Sequence, residues 1–148
     1  MLTITRGYNP EDIDRLYELE KICFARAFRW RKEDLVEALK KDDIWVGVYD
    51  GKIVGYVLVE VEGDTGHVIS LSVDPNYRRK GFGKSLMEAA ELYYAKKVKK
   101  LKLEVHVDNP AQLLYFNRGY RVTGFRHRYY ANGSNAITMA FQYKKSVT

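Results

Sequence analysis

A chain of 148 residues, 46% hydrophobic and 30% charged, has the balance of one globular domain, spanning 1–148, that can bury roughly two-thirds of its unfolded surface. No run approaches the ~20 apolar residues of a membrane helix. Acidic residues appear by Glu11, against the layout of a secretory signal, and the single cysteine, Cys23, leaves no internal disulfide, so a soluble cytoplasmic protein is expected. The formal charge of +6 raises nucleic acid as a partner without deciding it, because counterion release rewards any Lys and Arg cluster near phosphate.

LTITR (2–6) reads as a short alternating strand. Asn9-Pro10-Glu11-Asp12 is a helix start, with a capping Asn, Pro in the first turn and acids at the positive end of the dipole. Ile13, Leu16, Tyr17, Cys23 and Phe24 recur at helical spacing and place Cys23 on the apolar face, as a small core residue. A second helix is expected from about Lys32 to Lys40, with the aromatic and basic ARAFRWR (25–31) between the two. DIWVGVYDGKIVGYVLVEVEGDTGHVISLSVDP (43–75) is a three-strand meander that turns at Asp50-Gly51 and at Glu62-Gly63-Asp64. Phe82, Leu86, Ala89, Ala90 and Tyr93 mark one face of a helix, and LKLEVHV (101–107) alternates as a strand, which suggests a parallel crossover. Asn109-Pro110 starts a helix from Ala111 to Arg118, capped by Gly119. YRVTGFRHRYY and AITMAFQY are the last two strands, on either side of Ala131-Asn132-Gly133. The order β-α-α-β-β-β-α-β-α-β-β predicts an α/β (α+β) fold with a mixed sheet of about seven strands and four helices.

The stretch SVDPNYRRKGFGKSL (72–86) joins a strand to a helix. Backbone N–H groups at a helix N-terminus are unpaired donors at the positive end of a dipole, and glycine lets the chain bend tightly or approach a ligand closely. Arg78, Gly81 and Gly83 form R-x-x-G-x-G in that setting, a cradle for phosphate. The Walker lysine pattern is absent, as is the acid ~20 residues on that a dinucleotide fold carries. A different phosphate ligand is implied.

R-x-x-G-x-G preceded by V-D-P-x-Y resembles the acyl-CoA motif of the GCN5-related N-acetyltransferases, the GNAT superfamily, and the order of elements is that superfamily's. The resemblance extends from about residue 11 to 143. Within the superfamily the chain is most similar to the RimI- and Ard-type protein N-terminal acetyltransferases, through GHVISLSV (66–73), LEV (103–105), NPAQLLY (109–115) and YYANGSNAITMA (129–140). The resemblance implies acetyl-CoA as cosubstrate, with no metal. Arg78, Arg79, Lys80, Gly81, Phe82, Gly83 and Lys84 would then hold its pyrophosphate. Leu71, Ser72 and Val73 would lie on a strand that splays from its neighbour, pairs with the pantetheine arm and offers amide donors to the thioester oxygen, where charge develops.

Acetylation needs a neutral amine. An α-amino group of pKa ~7.7–8.0 is roughly a tenth to a sixth neutral at pH 7, against about 0.04% for lysine, so a base working through water suffices. Glu104 alternates with Leu103 and Val105, points to the opposite face together with His106, and resembles the RimI general base; a plain solvent-facing strand residue is the alternative. His67, on the neighbouring strand, stands where some relatives place a water-holding Tyr, though a His is usual in the Ard-type GHV sequence and a structural role is its alternative; His106 is the weaker candidate. Tyr115 occupies the family's tyrosine position, suited to hydrogen-bonding the departing thiolate. The family spacing N-x-x-A-x-x-L-Y is one residue shorter here, ~100° on a helix, which sets Asn109 and Tyr115 in tension for their family roles.

By the same resemblance the acceptor N-terminus would be clamped by Phe28, Arg29 and Trp30 on one side and by Tyr129 and Tyr130 on the other, aromatics with polar tips suited to a peptide backbone. Arg26, Arg29 and Arg31 suggest a preference for a nearby acidic side chain. RHRYY, alternating along a strand, would line the acceptor groove. The acceptor is read as a protein or peptide N-terminus, with a ribosomal protein or a nascent chain both admitted. A small-molecule amine, such as a polyamine or amino sugar, or a lysine, is the alternative within the family. A basic nucleic-acid-binding module is the alternative outside it. Monomer and homodimer are both open.

Overall fold

The structure is a computed structural model that describes residues 1–24 and 30–144. Strands β1 (Thr3–Arg6), β2 (Asp43–Tyr49), β3 (Lys52–Glu62), β4 (Thr65–Val73), β5 (Lys100–His106), β6 (Arg121–Arg126) and β7 (Ala136–Gln142) make one sheet in the order β1-β2-β3-β4-β5-β7-β6. The helices are α1 (Ile13–Cys23), α2 (Lys32–Lys41), α3 (Phe82–Tyr94) and α4 (Ala111–Asn117). This is the mixed α/β architecture expected, and every expected element that falls within the described residues is found. The β2–β3 hairpin turns through Asp50 and Gly51, both at positive φ, the geometry of a tight two-residue turn.

Apolar side chains alternate along the strands, so the sheet has a core on each face. On one face α1 and α2 bring Leu16, Leu19, Leu35 and Leu39 onto Tyr56 and Leu58. On the other, Leu86, Met87, Ala90 and Tyr94 of α3 pack on Val57, Val59, Leu101, Leu103 and Met139. Each fully buried Leu or Val contributes roughly 1.5–3 kcal/mol. Buried Glu91 of α3 ties the second layer together. It pairs with Arg118 after α4, and its carboxylate accepts from the Tyr120 hydroxyl at 3.1 Å while its carbonyl accepts from the Tyr143 hydroxyl at 2.6 Å.

Two irregularities shape the middle of the sheet. β4 and β5 are parallel and pair only as Thr65↔Lys100, Gly66↔Leu101 and His67↔Lys102; beyond His67 the two strands part. On its other edge β4 stays paired with β3 as far as Gly55↔Val73, but Leu58 faces Ser70 while Val59 faces Val68, so Ile69 is an extra residue in a bulge.

Two expectations are corrected. RHRYY does not continue β6: the strand ends at Arg126, Arg128 takes φ 50, and its N–H turns to Asn135 Oδ1 at 2.9 Å, so residues 127–130 are loop rather than strand. Cys23 is half-buried rather than a core residue, because it ends α1 where the helix passes β4; its thiol donates to the Val73 carbonyl at 3.2 Å.

Candidate active site

The parting of β4 and β5 opens a cleft of about 1160 Å³. Its floor is the unpaired edge of β4, where Ile69, Leu71 and Val73 border the space. Ser72, expected among the ligand-binding residues, is instead 1% exposed and lies opposite Tyr56 in the β3–β4 ladder, outside the lining. The bulge at Ile69 explains this, since it resets which side chains of β4 turn to the cleft. The backbone beside Ser72 still belongs to the open edge.

At one end of the cleft the chain leaves β4 through a turn held by buried Asp74, which accepts from the Asn76 N–H at 3.0 Å and from Arg15 at 2.8 Å. Burial alone would raise this carboxyl's pKa; the bonds from Arg15 and Asn76 hold it below the usual range. Arg79 and Gly81 then take φ 65 and φ 78, and Gly81 caps α3. The Ser85 N–H bonds to the Gly81 carbonyl at 3.0 Å, so the N–H groups of Phe82, Gly83 and Lys84 stand in the first turn, without intrahelical partners. A Cβ on Gly83 would meet Leu114 at 3.6 Å and Val73 at 3.7 Å, ordinary contacts. The protein's own packing would therefore accept alanine, and glycine leaves the backbone bare toward the cleft. Arg78, Arg79, Gly81, Phe82, Gly83 and Lys84 all border the cleft, whereas Lys80 does not. The loop fits an anionic group such as a pyrophosphate.

Further along the wedge, Glu104 and His67 meet across the strands. Glu104 is 4% and His67 27% exposed in their side chains, and His67 Nε2 lies 2.5 Å from Glu104 Oε2. Arg126 Nη2 is 3.7 Å from Glu104 Oε1. Burial pushes the Glu104 pKa up, but the His67 hydrogen bond, with the positive charges of His67, Lys102 and Arg126, outweighs it and holds the carboxyl below its ordinary value. Tyr115, on α4, borders the same space, and burial raises its phenol pKa. It therefore stays protonated, with an O–H to donate. Asn109 also borders the cleft; its Oδ1 accepts from the Ala111 N–H at 2.9 Å, so in the shortened segment the Asn109 side chain is bonded to the first residue of α4 while Tyr115 still borders the cleft.

Of the residues expected to hold the acceptor, Trp30, Tyr129 and Tyr130 border the cleft; Phe28 and Arg29 lie outside the described residues. Burial pushes the Tyr130 pKa up to about 12. His106, the weaker candidate, borders the cleft too: its Nδ1 accepts from the Asp108 N–H at 3.0 Å and its ring lies 5.5 Å from that of Tyr130. Sequence reasoning missed Glu20, and it placed Arg126 only within RHRYY along the acceptor groove, not beside Glu104. Glu20 is buried and borders the cleft; its signal was an acid in the stripe Ile13, Leu16, Glu20, Cys23. The approach of Arg126 to Glu104 left no signal, because it depends on how β6 registers on β7 and β7 on β5.

The Acetyltransferase (GNAT) family matches residues 13–120. A protein of Bacillus subtilis named as a putative [ribosomal protein bS18]-alanine N-acetyltransferase is 34% identical over 140 residues, covering 90% of this chain and 91% of its own. An N-alpha-acetyltransferase of Sulfurisphaera tokodaii is 31% identical over 155 residues, covering 91% and 90%. The crystal structure of the ribosomal-protein-S18-alanine N-acetyltransferase from Escherichia coli superposes with a TM-score of 0.87 at 27% identity, over 99% of this chain and 97% of that one. With a wedge between two parallel strands, a glycine loop at one end and a carboxylate–imidazole pair at the other, the chain belongs to the GNAT family of N-acetyltransferases.

Proposed function

We propose that the protein is an N-alpha-acetyltransferase, which transfers the acetyl group of acetyl-CoA to the free α-amino group of a protein or peptide N-terminus by direct attack in a ternary complex. The observation that carries this reading is the half-buried Glu104–His67 pair at the fork of β4 and β5, across the cleft from a phosphate-type loop. The N–H groups from Arg79 to Lys84 receive the pyrophosphate, and the open edge of β4 from Leu71 to Val73 pairs with the pantetheine arm. Amide donors beside the bulge face the thioester oxygen, where negative charge grows as the amine attacks. Glu104 takes a proton from the α-ammonium, through water or directly. The neutral nitrogen then bonds to the carbonyl carbon, the carbon–sulfur bond breaks, and the nitrogen's surplus proton passes to the departing thiolate, which the Tyr115 hydroxyl hydrogen-bonds, so that the amide and CoA leave neutral at that end. Trp30, Tyr129 and Tyr130 hold the peptide, together with Phe28 and Arg29 by family likeness.

The choice of α-amine over lysine has a physical basis. Glu104 is held below the usual carboxylate range, which makes it fully ionised at neutral pH but a weak proton acceptor. An ammonium of pKa ~8 can be deprotonated with such modest help, whereas one of ~10.4 is more than two units harder. The names of the relatives agree in kind, since one is named, as putative, for an alanine of a ribosomal protein and the other for acetylation at an α-amine. The test is turnover of acetyl-CoA with paired peptides whose N-termini are free or blocked, read as CoA release. Release with free N-termini and none with blocked ones is expected; release from blocked peptides carrying only internal lysine overturns the assignment.

A further inference from the structure

Glu104 uses its two oxygens differently. Oε2 meets His67, while Oε1 is buried and makes no hydrogen bond among the described residues. The charged group facing Oε1 is the Arg126 guanidinium at 3.7 Å, too far for a hydrogen bond and close enough for Coulomb attraction. Arg126 is the last residue of β6, its side chain is 54% exposed, and its guanidinium carbon also lies 5.9 Å from the centre of the Tyr129 ring. That aromatic wall of the acceptor side gives the cation a second place to rest. His67 approaches Glu104 from β4, Lys102 and His106 share its face of β5, and Tyr129 and Tyr130 border it from the loop after β6. Within this ring, Arg126 is the cation on the Oε1 side, where an α-ammonium would have to give up its proton.

We propose that Arg126 is a movable counter-ion that makes the enzyme select N-termini with an Asp or Glu within the first three residues. The inference rests on the N-terminal acetylation reading. An acceptor without an acid brings its ammonium against a guanidinium already placed at Oε1, and the two cations compete. An acceptor with a carboxylate draws the exposed guanidinium outward into a paired, charge-assisted contact and leaves Oε1 to the ammonium. The reach fits: an extended peptide rises ~3.3 Å per residue, so the second and third side chains stand roughly 3–7 Å from the α-nitrogen along the chain.

The experiment compares kcat/KM for peptides of one length with Asp or Glu, Ala, or Lys at positions two and three, using the wild type, Arg126→Gln and Arg126→Glu. The wild type is expected to favour acidic over lysine peptides about tenfold or more, Arg126→Gln to flatten that ratio, and Arg126→Glu to invert it. A merely structural role would not invert a preference, and the KM for acetyl-CoA checks that each variant is folded. No acidic preference in the wild type, or a preference that survives Arg126→Gln, overturns the role of Arg126 while peptide turnover stands. If the wild type acetylates no free N-terminus, the N-terminal reading itself falls and takes this role with it.

Discussion

At Glu104 four influences act on one carboxyl, and they do not pull in the same direction. Burial opposes ionisation, while His67, Lys102 and Arg126 favour it and prevail. The group is therefore ionised well below neutral pH, and its contribution to stability is present above the ordinary carboxylate pKa and lost only as pH falls through the lowered folded value. Two outcomes follow for catalysis. Glu104→Gln is expected to lower kcat by about 10²-fold with acetyl-CoA binding retained by titration calorimetry; unchanged turnover would remove Glu104 from the mechanism. His67→Ala removes the hydrogen bond that holds the carboxyl down, so the acid limb of kcat/KM moves to higher pH, and His67→Gln, which keeps a donor, moves it less. An acid limb that stays in place in His67→Ala would show that His67 does not tune the base. The direction of Glu104 was legible in the alternation of LKLEVHV. Its contact with His67 was not, since that depends on the parallel register His67↔Lys102, which joins residues far apart in the chain.

β4 is the element on which the site depends, and glycines near it act in opposite ways. Gly55 of β3 faces Val73 in the ladder, and a Cβ there would stand 2.7 Å from the Ser72 carbonyl oxygen and 3.0 Å from Leu86. Backbone cannot yield cheaply, so Gly55→Ala is expected to cost about 1–3 kcal/mol of stability, read by urea unfolding. A Cβ on Gly83 meets only ordinary contacts, and alanine suits a helix better than glycine. Gly83→Ala should therefore unfold no more easily than the wild type, yet raise the KM for acetyl-CoA about tenfold, because the methyl group enters the space left for the ligand. An unchanged KM would move the phosphates away from this turn. The sequence pattern R-x-x-G-x-G singled out Gly83. It could not single out Gly55, whose role comes from the close passage of β3, β4 and α3, nor the bulge at Ile69, which is set by the β3–β4 pairing and turns Ser72 away from the cleft.

At the scale of the whole molecule, several of the described basic residues behind the positive surplus are engaged locally, by an aromatic ring, by acids or at the cleft. In KKVKKLK, Lys97 lies over the Tyr93 ring at 4.5 Å and Lys99 pairs with Asp64 at 3.4 Å; Arg118 pairs with Glu91 and Glu88; Arg78 and Arg79 border the cleft. The two cores meet through a sheet whose β4 and β5 have parted, so a ligand seated in the wedge supplies contacts to both strands that neither makes to the other. Binding to the folded state alone stabilises it by about 2.7 kcal/mol at a hundred times Kd. For a chain of this size each kcal/mol shifts Tm by roughly 2–4 °C. Acetyl-CoA at that concentration is thus expected to raise Tm by about 5–10 °C, and CoA to do nearly as well, since most of the contacts proposed for it lie along the phosphates and pantetheine rather than the acetyl group. A single-stranded RNA at equal phosphate concentration should leave Tm within about 1 °C at 150 mM salt, where surface charges are screened beyond ~8 Å. A midpoint raised by RNA and unmoved by acetyl-CoA would reverse the assignment of the cleft, because only a ligand that fills the wedge can bridge β4 to β5.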